Sequence, residues 1–186
     1  MVGTSADPPT VGHQQILHWL GEQYDQIAAW AADNPFKDHG SPLHHRMAML
    51  SAAIRDLPRG DNIGVYSDLS HRFTRVTVDR ASERWPNAQI TLTVGSDLID
   101  QLPRWYQVTQ LFQQADLLVI PRPGYDITAD KLTPLKQLGA TVAVADLTGL
   151  AVSSTVYRND GDLSALPPSV ATYIERENLY LCQNAT

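Results

Sequence analysis

The first thirteen residues end in Gly3-Thr4-Ser5-Ala6-Asp7-Pro8-Pro9-Thr10-Val11-Gly12-His13, and apolar residues at helical spacing follow at once, Ile16, Leu17 and Leu20. A loop of glycine, proline and short hydroxyl residues that feeds a helix presents bare backbone N–H groups beside a positive helix end. The chemistry this serves is anion binding, with phosphate the natural candidate. Gly12 permits close approach of the backbone, and His13 places an imidazole in the first helical turn. A second group of the same kind lies near the other end. Ser153, Ser154 and Thr155 stand at a helix start with Arg158 one turn later, a set of neutral donors and a cation that suits a triphosphate. Between them, the β-branched run Ile90-Thr91-Leu92-Thr93-Val94 leads into Gly95-Ser96-Asp97. There a glycine lets the chain turn at a strand tip, and a carboxylate can accept hydrogen bonds from a ribose or an amide. On residue chemistry alone, Asp97 and Thr74 also suit helix caps, Lys37 a solvated loop, Arg158 the surface, and Trp105 the core.

Positioning these groups requires strands that end where they begin. Predicted strands are Ile27–Ala32, Ile63–Tyr66, Ile90–Val94, Leu117–Ile120 and Thr141–Ala145. Helices alternate with them. One follows the glycine loop, and one covers Leu43–Leu57 with Met47, Leu50, Ile54 and Leu57 as its core stripe. Others start near Thr74 with Val78, Ala81 and Trp85 on one face, around Lys131–Leu138, and over Pro167–Glu177 before a short apolar tail, Leu179-Tyr180-Leu181. This alternation predicts a single α/β domain over residues 1–186, an open doubly wound parallel sheet covered on both faces. Such sheets hold ligands at their carboxyl ends, where Lys37 and Asp97 fall. The first strand is the exception. Only Met1 and Val2 precede Gly3, so that strand is expected to be largely absent, as from a chain clipped upstream. His44 and His45 are adjacent on a helix and point about a hundred degrees apart, which argues against a shared metal ion.

The charge of −6 argues against a nucleic-acid surface, which normally carries a basic stripe. A single cysteine, Cys182, excludes an intrachain disulfide and fits a reducing cytoplasm. No apolar run approaches bilayer length and no signal peptide is present, so neither membrane association nor export is expected.

Taken with these residues, the chain resembles the nucleotidylyltransferase superfamily, and within it the bacterial nicotinate mononucleotide adenylyltransferases. Gly3, Asp7, Pro8, Gly12 and His13 match the family signature Gly-Gly-Thr-Phe-Asp-Pro-x-His-x-Gly-His. Thr4, Ser5 and Ala6 replace the second Gly, the Thr and the Phe, and Thr10 takes a position where the superfamily has Thr or His. Asn34-Pro35-Phe36-Lys37 is similar to Pro-Pro-His-Lys, and Arg46 matches the Arg of His-Arg-x-x-Met-Leu. Phe73-Thr74 with Thr77 resembles Tyr-Thr-x-x-Thr, although Val76 stands where the family has Asp. Gly95-Ser96-Asp97, Arg104-Trp105-Tyr106, Arg122-Pro123-Gly124 and Val152–Arg158 resemble Gly-Ala-Asp, Lys-Trp-Tyr, Arg-Pro-Gly and Ile-Ser-Ser-Thr-x-Ile-Arg. The resemblance runs from Gly3 to about Leu181, with the motifs in order.

It implies a Rossmann-like nucleotidylyltransferase fold and an adenylyltransferase that joins nicotinate mononucleotide to the adenylyl group of ATP, releasing pyrophosphate in NAD biosynthesis. His13 would donate to the α-phosphate, while Lys37, Arg46 and Arg158 neutralise phosphate charge. Gly3, Thr10, Gly12, Gly95, Asp97, Ser153, Ser154 and Thr155 would face ATP. Thr4, Ser5, Thr74, Trp105 and Tyr106 would face the mononucleotide. Magnesium would arrive with ATP, held largely by phosphates and water. Two alternatives stay open: a sister transferase using the amide mononucleotide, phosphopantetheine or a cytidylyl donor, and a non-catalytic nucleotide-binding protein, suggested by Thr4, Val76 and the short first strand.

Overall fold

All five residues of one strand, Ile27–Ala31, are buried. Successive strand residues point to opposite sides, so this strand is covered on both faces, as a doubly wound sheet requires. The computed structural model describes residues 1–33, 38–147, 149–150 and 152–180. Its strands are β1 (Val2–Thr4), β2 (Ile27–Ala31), β3 (Ile63–Val65), β4 (Thr91–Gly95), β5 (Asp116–Ile120) and β6 (Val142–Val144). Its α-helices are α1 (Val11–Gln23), α2 (Leu43–Arg55), α3 (Thr74–Arg84), α4 (Val108–Gln114), α5 (Ala129–Gln137), α6 (Ser154–Asp160) and α7 (Pro168–Glu177). The strands form one six-stranded sheet in the order β3-β2-β1-β4-β5-β6.

The chain divides into two compact units. One comprises Met1–Gly3 with Asp68–Gly149, the other Thr4–Ser67 with Leu150 onward. In the first, β4 and β5 pair in parallel over their whole lengths, from Thr91 opposite Asp116 to Gly95 opposite Ile120. Both strands therefore end at one level, and the segments Gly95–Asp97 and Pro121–Arg122 emerge side by side. Leu92, Val94, Leu117, Leu118 and Val119 supply the sheet's part of this core, and Leu111 and Phe112 of α4 are buried with them.

In the second unit β2 pairs with β3, Ile27 opposite Ile63. Here α2 and α7 pack through Met49, Ala52, Ala53, Val170 and Ile174, joined by Tyr157 and Leu166. The buried side of α2 is Arg46, Met49, Leu50 and Ala53, at i, i+3, i+4 and i+7. This corrects the expected stripe: Met47 and Leu57 are only half buried. Alanines carry little hydrophobic signal, yet Ala52 and Ala53 are the residues small enough to admit α7. Met47 lies beside β2, its sulfur accepting the Ala31 N–H at 3.1 Å.

The expectation of a largely absent first strand is also corrected. Strand β1 exists, and it is built from Val2 and the first two loop residues, Gly3 and Thr4. Val2 pairs with Thr93, whose N–H donates to the Met1 carbonyl at 2.9 Å. The Thr4 carbonyl accepts from the Ala32 N–H at 2.7 Å. Pairing needs backbone groups rather than β-branched side chains, so residues that read as loop serve as strand. Among the described residues no helix is long and apolar enough to cross a membrane.

Candidate active site

The first loop is held from within and from below. Thr4 Oγ1 accepts the Ala6 N–H at 3.3 Å, closing a turn in which Ala6, fully buried, adopts φ 49°. That left-handed conformation is uncommon for a residue other than glycine. Arg46, 2% exposed, reaches up from α2 and donates through Nη1 to the Ser5 carbonyl at 2.9 Å and the Ala32 carbonyl at 2.8 Å. It was expected to neutralise phosphate charge. The structure instead makes its guanidinium a strut between the loop and the end of β2. Burial pushes the guanidinium below its ordinary value, and Asp7 opposes that shift.

At the start of α1 the Thr10 N–H donates to His13 Nδ1 at 3.0 Å, and Thr10 Oγ1 lies 2.8 Å from the same nitrogen. A ring nitrogen that accepts a backbone N–H is unprotonated, so neutral His13 carries its proton on Nε2. Thr10 thereby sets the tautomer that makes Nε2 a donor. Gly12 has a second reason to be glycine: a Cβ there would lie 2.9 Å from Val152 Cγ2. The Val152–Arg158 segment is seated directly on this loop. Ser153 caps α6 by accepting the Val156 N–H at 3.2 Å, and Ser154 Oγ donates to the Pro8 carbonyl at 2.7 Å. Arg158 donates from Nη1 to the Asp7 carbonyl and from Nη2 to Thr155 Oγ1 at 3.4 Å.

Asp7, only 1% exposed, has both carboxylate oxygens occupied. Oδ1 accepts from Ser41 Oγ at 2.9 Å and from Tyr180 OH at 2.7 Å, and Oδ2 accepts from the Gly40 N–H at 2.6 Å. His39 Nδ1 and Arg158 Nη1 each stand 3.7 Å from Oδ2. Sequence reasoning noted Asp7 as part of the motif and gave it no role, and it did not single out Ser41 or Tyr180. A carboxylate in a loop expected to bind an anion is itself the signal, because it opposes anion binding unless protein donors take it up. Lys37 lies outside the described residues, as does Leu181.

In the other unit, the end of β4 holds Gly95, whose absent Cβ would clash with Asp97 Oδ1 and meet Arg122 Nε at 3.0 Å. Ser96 Oγ accepts the Arg122 N–H at 2.9 Å, and Arg122 Nη1 approaches Asp97 Oδ2 at 3.4 Å. Asp97 Oδ1 is buried with no hydrogen-bond partner among the described residues. A carboxylate oxygen left in that state is suited to a donor from a ligand. Arg122, like Ser96, was missed as a site residue. Thr74 opens α3, and the preceding Phe73 stacks on Tyr106 with ring centroids 4.6 Å apart. Trp105 beside it is half buried and Tyr106 is 48% exposed, so this unit presents an aromatic surface next to a helix start. His44 and His45 lie ring against ring, with His45 Nδ1 2.9 Å from Tyr173 OH.

Residues 1–160 match the family described as cytidylyltransferase-like. A protein of Synechocystis sp. named "probable nicotinate-nucleotide adenylyltransferase" is 39% identical, over 97% of this chain and 97% of its own. The nicotinate-nucleotide adenylyltransferase of Bacillus subtilis is 28% identical, over 96% and 95%. Among solved structures, the nicotinic acid mononucleotide adenylyltransferase of Plasmodium falciparum complexed with NaAD superposes with a TM-score of 0.80 at 21% identity, covering 96% of this chain and 95% of that one. That likeness confirms the fold.

Proposed function

The chain belongs to the cytidylyltransferase-like family, and we propose that within it this protein is a nicotinate-nucleotide adenylyltransferase. The substrate reading is supported by the names its relatives carry. The chemistry rests on one observation, the orientation of His13 imposed by the Thr10 N–H at 3.0 Å.

A phosphate oxygen of nicotinate mononucleotide attacks the α-phosphorus of ATP. The bond from that phosphorus to the bridging oxygen breaks, and pyrophosphate leaves with the electron pair. Nicotinate adenine dinucleotide is the other product. No side chain has to become a nucleophile, so the protein's contribution is positioning and charge stabilisation. His13 Nε2–H donates to a non-bridging α-phosphate oxygen as charge builds there, and the Val11–His13 helix start adds its dipole. Arg158 faces the triphosphate, which enters as its magnesium complex. Ser153, Ser154 and Thr155 hold the α6 start in place, and Thr155 offers its hydroxyl beside Arg158. Asp97 Oδ1 accepts from the adenosine portion. Thr74, Trp105 and Tyr106 receive the nicotinate end, with Thr4 and Ser5 shaping the loop nearest the mononucleotide.

The test is pyrophosphate release from ATP with nicotinate mononucleotide, with the amide mononucleotide run in parallel. Turnover with the acid and its loss by roughly two to three orders of magnitude in kcat in His13→Ala, with little loss of folding, is the expected outcome. Absence of turnover with the acid, or wild-type turnover in His13→Ala, would overturn the reading.

A further inference from the structure

We propose that Tyr180 is a positioning residue, whose hydroxyl holds the Asp7 carboxylate back from Arg158 and so keeps that arginine available to the triphosphate. The proposal rests on the reading of Arg158 as a phosphate ligand given above.

The geometry carries it. An aspartate inside a phosphate loop has two ways to reduce the site's attraction for ATP: it repels the phosphates, and it competes for the nearest cation. Here the nearest cations among the described residues are Arg158 Nη1, which also donates to the Asp7 carbonyl, and, when protonated, His39, each 3.7 Å from Oδ2. That is just beyond hydrogen-bond reach. The carboxylate does not close the gap because it is drawn the other way. Two hydroxyls converge on Oδ1, Tyr180 at 2.7 Å and Ser41 at 2.9 Å, which also places them 3.0 Å from each other. Oδ2 is taken by the Gly40 N–H at 2.6 Å. Each hydroxyl has one proton to give. With both directed at Oδ1, the carboxylate's hydrogen bonds go to neutral donors, and Arg158 stays at the longer ion-pair distance of 3.7 Å.

Tyr180 is built to remain a donor. Burial pushes its phenol well above the ordinary range, so it keeps its proton throughout the physiological range. Its ring is fixed edge-on to Tyr157 at 6.0 Å between centroids. Gly40 is shaped around it, since a Cβ there would meet Tyr180 Cε1 at 2.9 Å and Arg158 Cδ at 3.2 Å. The ring, the glycine and the arginine stem thus form one packed contact, and the phenolic oxygen is delivered to Asp7 from 173 residues away in sequence.

Without the hydroxyl, Oδ1 keeps one donor and the carboxylate turns toward Arg158. The resulting close ion pair holds the guanidinium away from the substrate. Tyr180→Phe keeps the ring and its packing, so folding should be retained. Expected is an ATP KM raised about tenfold, the order set by one hydrogen bond to a charged acceptor. The KM for nicotinate mononucleotide should stay within about twofold, the same scale of effect leaving that site untouched. Ser41→Ala, which removes the other donor to Oδ1, should move ATP KM in the same direction. Adding Tyr180→Phe to Asp7→Asn should have no further effect on ATP, because an amide does not compete for Arg158.

The dissociation constant of ATP, measured calorimetrically on the same proteins, separates the two readings. If the wild-type chain binds ATP but releases no pyrophosphate, the proposed reaction fails, and the ratio of ATP dissociation constants still decides this inference. An unchanged ATP affinity in both Tyr180→Phe and Ser41→Ala overturns it. So does an equal rise in both KM values accompanied by a lower melting temperature, which would make Tyr180 a packing residue only. A wild-type chain that does not bind ATP overturns both readings.

Discussion

Arg46→Lys distinguishes a structural strut from a phosphate ligand because it preserves charge and changes reach. One nitrogen of the Arg46 guanidinium, Nη1, uses its two protons on the carbonyls of Ser5 and Ala32, at 2.9 and 2.8 Å. Lysine ends one bond sooner, and its compact ammonium holds water more tightly than a guanidinium does. From the same Cα it can approach one carbonyl and not both. A hydrogen bond to a charged partner contributes roughly 1.5–3 kcal/mol, so losing one should destabilise the domain by about that much. For a chain of this size 1 kcal/mol shifts the melting temperature by roughly 2–4 °C, which predicts a fall of about 3–12 °C. ATP KM should rise as well, since the freed Ser5 carbonyl lets the first loop move. Calorimetric melting and urea unfolding with an unchanged slope measure the first effect, and pyrophosphate release measures the second. Had Arg46 served only as a charge for phosphate, lysine would keep both stability and much of the affinity. An Arg46→Lys protein that melts with the wild type would therefore refute the strut.

Gly12→Ala drives a Cβ to 2.9 Å from Val152 Cγ2 and should destabilise by about 1–3 kcal/mol while raising ATP KM. Adding Val152→Ala should restore both, and a double variant no better than the single would show that the clash lies elsewhere. Trp105→Ala should raise KM for the mononucleotide roughly three- to tenfold, the scale of an aromatic stack, with ATP KM unchanged. Equal rises in both constants, with a lower melting temperature, would mark Trp105 as core.

What could be read from the sequence followed from how each feature is encoded. Strands β2 and β5 were visible because burial on both faces writes an apolar run, and β4 because it is rich in β-branched residues; all three lie where expected to within a residue or two. The start of α3 at Thr74 and of α6 at Ser154 were likewise marked by hydroxyls at helix starts. Strand β1 was not visible, because its contribution is backbone pairing by Gly3 and Thr4, which leaves no side-chain trace. The core stripe of α2 was in part placed on the wrong residues for a related reason, since Ala52 and Ala53 admit α7 by being small.

The site divides along the same line. Residue types point to an anion loop, and His13, Thr10, Asp97 and Arg158 stand out in the sequence alone. Their direction does not. Arg46 and Arg158 are the same residue type, one near the start of α2 and the other in the last turn of α6, yet Arg46 is 2% exposed with its Nη1 protons on two carbonyls. Arg158 also donates from Nη1 to a carbonyl, that of Asp7, but it retains 20% side-chain exposure and its partner carboxylate stays 3.7 Å away. What separates them is Asp7, and what directs Asp7 is a hydroxyl delivered by Tyr180 from the far end of the described chain. Sequence spacing carries no record of a contact over that separation. The cations of a phosphate site can therefore be counted from sequence, but which of them faces the phosphate depends on where the neighbouring anion finds its own donors.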